Sequence, residues 1–314
     1  MSDLQIDYRV RPAKHIERKM LCDIFRCLTP FGTLESYRYL GFGAIYFADF
    51  VLVHKSLGLH NMLSMERDAD QENRFRFNCP YKCITLDFRS SNEVLPSLPD
   101  WDVRTIAWFD YTDKLDQKIL SDISCFIGHA CPGSVMVLTI NSQADRPDGT
   151  PGPLEKLKEK VGNDNVPRDV TDRDLAGWGT AKVSKRVIDN AIAEALTVRN
   201  GPRAAGTHFH FQQLVHFHYS DGARMLTLGG IIFGDGQEPI VASCGFDRFD
   251  FVKKGDDFYH IEVPALTFKE KRHLDSKLPL AHGEAIGAPE IPVTDVERYV
   301  KLYRYFPMFV DIEP

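Results

Sequence analysis

Hydrophobic positions recur at three- and four-residue spacing over residues 12–28, where Ile16, Met20, Leu21, Ile24, Phe25 and Leu28 share one face. That period predicts a helix. Pro12 suits its first turn, and Pro30 with Gly32 ends it. A short aromatic strand follows at 36–40, then Gly41-Phe42-Gly43 and a helical stretch over 44–57 closed by Gly58. Strands are predicted at 61–66, 82–88 and 104–111, a helix at 114–129, and a buried strand at 134–140. Strands alternating with helices at this spacing predict βαβ units and a parallel sheet.

Residues 142–175 break the rhythm. They are rich in Asp, Gly, Pro and Lys and read as an exposed insertion with one short helix near 154–161. A helix returns at 181–197. Two strands, 209–219 and 224–233, then meet across Ser220-Asp221-Gly222, a strong hairpin signal. The remainder reads as short strands and loops ending in an aromatic tail at 299–309. The expected organisation is an N-terminal helical cover over 1–33, a Rossmann-like α/β domain over 34–235, and a C-terminal extension over 236–314 packed on the same domain.

Composition narrows the classes. With 43% hydrophobic residues the chain of 314 can bury a sizeable core. The net charge of -6 excludes the global basic field of many nucleic-acid binders, although a local basic patch stays open. The longest apolar run, 44–53, is interrupted by Asp49 and is far short of a membrane helix. The first residues hold no apolar signal-peptide core, and the seven cysteines are odd in number, so the expectation is reduced thiols in a cytoplasmic protein. Cys79 and Cys83 flank Pro-Tyr-Lys with no second pair, an unusual spacing for structural zinc.

The most informative constellation lies between Tyr37 and Arg67. A strand leads into Gly41-Phe42-Gly43, a helix follows, and the next strand ends in Glu66. Glycines let the backbone approach a ligand without a Cβ clash. A helix N-terminus presents free N–H groups. An acid at the tip of the second strand can accept both hydroxyl hydrogens of a ribose. Asp110 and Tyr111 end the fourth strand, where an open α/β sheet presents side chains to its crevice.

This order resembles the class I S-adenosylmethionine-dependent methyltransferases. The resemblance covers roughly residues 34–235. It implies a mostly parallel Rossmann-like sheet with an antiparallel terminal hairpin, and S-adenosylmethionine as the cofactor. It also implies cofactor contacts from Gly41, Phe42, Gly43 and Glu66, with Asp87 and Phe88 beside the adenine. Asp110 and Tyr111 would then be catalytic or face the substrate. The sequence departs from the pattern at two points: Tyr39 and Leu40 stand where an acid usually precedes the first glycine, and Ile45 or Tyr46 replaces the third glycine. The incomplete Gly-x-Gly-x-x-Gly and the hairpin end argue against a dehydrogenase.

Two further features bear on function. The stretch from Asp7 to Lys19 is locally basic, and Arg11 and Lys14 are candidates for binding an anionic substrate in the same cleft as Asp110. His208, His210, His216 and His218 fall at even positions of one predicted strand and would share one face. They offer an alternative, a metal-dependent hydrolase. A non-catalytic binding module with a degenerate cofactor site is the other alternative, and a protein partner stays open. The substrate itself is not legible.

Overall fold

The computed structural model describes residues 11–146, 150–281 and 283–307. The first residues of the basic stretch, part of the insertion and the last residues of the aromatic tail lie outside that set. Among the described residues, no helix is long and apolar enough to cross a membrane.

Helix α1 spans Pro12–Arg26. The alternating core is β1 (Arg38–Gly41), α2 (Ala48–Leu57), β2 (Asn61–Met65), α3 (Glu72–Asn78), β3 (Ile84–Asp87), α4 (Ser91–Val94), β4 (Thr105–Asp110), α5 (Gln117–His129) and β5 (Val135–Asn141). Helix α6 (Pro153–Val161) lies in the insertion, and α7 (Gly179–Asn200) leads to the hairpin β6 (Phe209–Ser220) and β7 (Arg224–Gly234). The chain continues through α8 (Glu238–Ser243), β8 (Tyr259–Ile261), α9 (Phe268–Asp275) and α10 (Val293–Leu302).

Eight strands of the described residues form one sheet in the order β3-β2-β1-β4-β5-β7-β6-β8. The pairs among β1 to β5 are parallel, and β7 runs antiparallel to both β5 and β6. This is the Rossmann-like sheet with an antiparallel terminal hairpin that the alternation and Asp221-Gly222 predict. From β1 the chain winds outward through β2 and β3, then returns to β4 on the other side. The crevice of such a sheet opens between β1 and β4 at their carboxyl ends.

Both faces of the sheet are covered. Ile16, Met20 and Phe25 of α1 and Phe50 of α2 pack with Tyr39, Trp108 and Phe217 on one face. On the other, Ile123, Phe126 and Val187 of α5 and α7 pack with Phe109, Leu138 and Leu228. A smaller separate cluster joins Leu274, Ala288, Val296 and Tyr299.

Three local expectations are corrected. The helix expected from residue 44 begins at Ala48, because Ala44 and Phe47 take positive φ of 46° and 47°. Residues between them form a looped turn rather than a helix start. The C-terminal stretch, expected as short strands and loops, keeps its loops and one short strand, β8, but also carries the helices α8, α9 and α10. Its α9 opens with a capping box between Thr267 and Glu270, and α10 buries Val296, Tyr299 and Leu302 at three-residue spacing.

The third correction concerns the histidines. The β6–β7 register shifts between Gln213 and Val215. A bulge reverses which side chains face which side of the sheet. His210 stands opposite Phe233, whereas His216 and His218 stand opposite Leu228 and Leu226. Since 233 differs in parity from 226 and 228, the histidines lie on opposite faces.

Candidate active site

The glycine loop is shaped by close approaches. A Cβ on Gly43 would lie 2.5 Å from the Phe47 ring and 2.7 Å from Ser64 Oγ, so no side chain fits there. The Gly43 N–H donates to both Ser64 Oγ and Glu66 Oε1 at 2.9 Å. The Ser64 hydroxyl also donates to Glu66 Oε1 at 2.5 Å. Glu66, buried at the end of β2, thereby ties the loop after β1 to its neighbouring strand.

After β3 the chain behaves differently. Arg89 donates to both oxygens of Asp87, at 2.9 and 2.6 Å. Those hydrogen bonds hold the Asp87 carboxyl below its usual range. Phe88 packs against Phe75 and under Arg76. Neither Asp87 nor Phe88 lines the central cavity; Arg89, Ser90, Ser91 and Asn92 do.

β4 ends in Asp110, whose Oδ1 accepts from Lys14 Nζ at 2.6 Å. Burial pushes the Asp110 carboxyl up to about 6, against the downward pull of Lys14. Tyr111 donates to Asp122, which also accepts from Ser91 and Asn92. Burial and the neighbouring Asp122 raise the Tyr111 hydroxyl well above its ordinary value. The Tyr111 ring packs on Phe42 with centroids 5.0 Å apart.

These strand ends open on one cavity of about 500 Å³. Phe42 and Gly43 of the loop, Glu66, Asp110 and Tyr111 all line it. Gly41 lies just beneath, where an added Cβ would meet the Trp108 carbonyl at 3.2 Å. Lys14 does not line the cavity; its ammonium sits behind Asp110. Arg11 is also outside the lining and acts electrostatically on Asp221.

Residues 6–314 match the profile of a family described as "Putative O-methyltransferase". The chain belongs to this family. No curated protein matches it. Among solved structures it is similar to the N-methyltransferase NodS from Bradyrhizobium japonicum, at 10% identity and a TM-score of 0.40, over 73% of this chain and 94% of that one. It is also similar to the O-methyltransferase TomG from Streptomyces achromogenes, at 13% identity and a TM-score of 0.39, over 74% and 83%. A match to Streptomyces venezuelae DesVI has 18% identity and a TM-score of 0.30, and spans 40% of this chain and about half (49%) of that one.

For a member of this family, the residues that sequence reading passed over are Arg18, Asp49 and Asp122. Arg18 donates to Asp49, and both line the cavity although each is nearly buried. Asp49 did leave a signal, since it interrupts the longest apolar run of the chain. An acid inside an otherwise apolar helix calls for a buried partner.

The histidine strand does not form a four-histidine metal face. His216 and His218 are buried opposite the sheet face that carries His210, and His218 is stacked between Trp178 and Phe258 with centroids at 4.9 and 4.1 Å. His210 pairs with Asp235 at 2.6 Å, and Asp235 also accepts from the His208 N–H. The four-histidine face on which the hydrolase alternative rests is therefore absent, although His210 comes together with Asp235 and Glu238. His54, His60 and Cys83 do come together. The His54 Nδ1 nearest the sulfur already faces the Leu59 carbonyl at 2.8 Å. A carbonyl only accepts, so this nitrogen carries the proton and is not a free ligand.

Proposed function

We propose that the chain is an S-adenosylmethionine-dependent methyltransferase that methylates a hydroxyl oxygen of a small molecule. The observation that carries this reading is the convergence of the Gly43 loop, Glu66 and Asp110 on one cavity at the switch point of the sheet. Its volume lies within the roughly 300–1,000 Å³ of small-ligand sites. Membership in the O-methyltransferase family supports oxygen as the acceptor.

The residues present fit the cofactor. Phe47 and Ser64 leave no room for a Cβ at Gly43, so the loop holds its backbone at the cavity wall. Glu66 would hold the ribose hydroxyls. The segment Ser90–Asn92 would meet the adenine side in place of Asp87 and Phe88, which turn away from the cavity. When bound, the cofactor supplies an electrophilic methyl carbon on a sulfonium.

The chain's own work is positioning and proton removal. The cavity would hold a substrate hydroxyl beside Asp110, facing the space that the cofactor would occupy. The hydroxyl proton passes to Asp110. A carboxylate raised by burial toward neutrality is a better base for that proton than an ordinary one. The phenyl rings of Phe42 and Tyr111 would hold the reacting groups in a partly water-excluded space. An anionic substrate loses its main support, because Lys14 turns inward.

Titration calorimetry tests this reading. The protein should bind S-adenosylmethionine, and Glu66→Ala should weaken binding by about 1.5 to 3 kcal/mol, the range for hydrogen bonds to charged groups. Asp110→Asn should keep the affinity nearly intact and lower turnover by about 100-fold or more. Unchanged affinity in Glu66→Ala would remove Glu66 from the cofactor site. Absence of binding in the parent protein would sink the whole reading.

A further inference from the structure

The polar contacts of α1 are unusual for a covering helix. Lys14, Glu17 and Arg18 occupy its sheet-facing side and are 3%, 0% and 5% exposed. The Lys14 ammonium has three N–H donors, and all three are engaged. They face Asp110 Oδ1 at 2.6 Å, Glu17 Oε2 at 2.7 Å and the Tyr219 hydroxyl at 3.4 Å. The same ammonium lies 4.5 Å from the Trp108 ring centroid. No donor remains to reach into the cavity.

Glu17 is equally committed. It accepts from the Tyr219 hydroxyl at 3.1 Å and from Thr227. Thr227 in turn meets Thr139 at 2.9 Å, and Thr139 accepts from the Trp108 indole at 3.1 Å. A continuous set of hydrogen bonds therefore runs from the cavity-facing Asp110 into the antiparallel half of the sheet.

Among the described residues, the charges in this set do not balance. Three carboxylates, Glu17, Asp49 and Asp110, share the space with two cations, Lys14 and Arg18. Asp221 accepts from the Lys14 backbone N–H, and Arg11 beside it adds one opposite charge at the outer end. Among the described residues, the phenols of Tyr39 and Tyr219 also face Asp110, and burial raises both well above their ordinary values, so they stay neutral. One excess negative charge in a poorly solvated space favours uptake of a proton. Of the three carboxylates, Asp110 is the one at the end of a sheet strand facing the crevice, with its side chain 14% exposed.

We propose that Lys14 and Glu17 are positioning residues that set, from behind and with opposite sign, the pH at which Asp110 gives up its proton and becomes a base. This inference rests on the role assigned to Asp110 in the methyltransferase reading. Lys14 favours the charged carboxylate, and Glu17 opposes it. Neither touches substrate. On this reading the covering helix α1 tunes the site from behind.

The test needs no substrate. Protein carrying ¹³C-labelled aspartate is titrated by NMR, and the Asp110 carboxyl resonance is assigned by its loss in Asp110→Asn. Lys14→Met should move the Asp110 midpoint up by about one pH unit or more, as expected for loss of an opposite charge in contact. Glu17→Gln should move it down. Lys14→Arg keeps the positive charge and should restore much of the parent midpoint. If Glu17→Gln fails to fold, Tyr219→Phe with Lys14→Met and Lys14→Arg still decides the matter. A midpoint unmoved by Lys14→Met, or moved the same way by both charge removals, would overturn the inference. Those results leave S-adenosylmethionine binding untouched. Failure to bind S-adenosylmethionine would remove the methyltransferase reading while the titration still reports on the charge set.

Discussion

The sheet carries two buried polar clusters that solve burial in opposite ways. Around Asp110 the groups are charged and paired: Lys14 with Asp110 and Glu17, Arg18 with Asp49. Around His218 the groups are neutral. Both ring nitrogens of His218 and Nε2 of His216 have no hydrogen-bond partner among the described residues. Burial pushes His216 down to about 4 and His218 to about 3. The first cluster borders the cavity; the second is enclosed by Trp178 and Phe258. The contrast teaches that buried polarity alone does not mark a site. A partnered set that reaches a cavity does.

The largest effect expected from this contrast is on stability at the charged cluster. Asp49→Ala leaves the Arg18 guanidinium buried without that carboxylate. Breaking a buried pair on one side costs about 3 to 5 kcal/mol. Denaturant unfolding measures it, and a loss under about 1 kcal/mol would mean that the pair is far better solvated than its burial indicates.

A smaller effect separates the clusters by pH. A histidine whose folded value lies below the ordinary 6.5 contributes stability that is present above 6.5 and is lost as pH falls toward the folded value. His216 should therefore destabilise the fold between about pH 6.5 and 4, and His218 between about 6.5 and 3, each with a limiting slope of about 1.4 kcal/mol per pH unit. Asp110 runs the other way. Its raised value adds stability below about pH 4, and that contribution fades as pH rises through about 6. His218→Phe should flatten the acid loss. At neutral pH it should raise stability by about 1 kcal/mol, because it removes a buried imidazole without partners. An unchanged acid slope, or a clear loss of stability at neutral pH, would show that the imidazole is not isolated as described.

The same contrast explains what could be read in advance. Strand order and the hairpin follow from the alternation of strands and helices and from Asp221-Gly222, both local patterns. Gly43, Glu66 and Asp110 are legible as strand-end residues for the same reason. The nearness of Lys14 to Asp110 is legible too, because α1 leads directly into β1; that Lys14 pairs with Asp110 itself across 96 residues, instead of facing an anionic substrate, is not. The four-histidine face fails because one inserted residue at the β6 bulge reverses side-chain direction, a shift that alternation in one strand cannot reveal. Helices α9 and α10 are short and partly polar, so their capping box and three-residue spacing stand out only once the packing of Leu274 and Tyr299 is seen.

The most direct test of the central claim is a structure of the protein with S-adenosylhomocysteine bound. The account predicts the ligand in the cavity between the Gly43 loop and Asp110, with its ribose hydroxyls on Glu66 and its sulfur on the side of Asp110. A ligand seated elsewhere, or seated there with no contact between its ribose and Glu66, would contradict it.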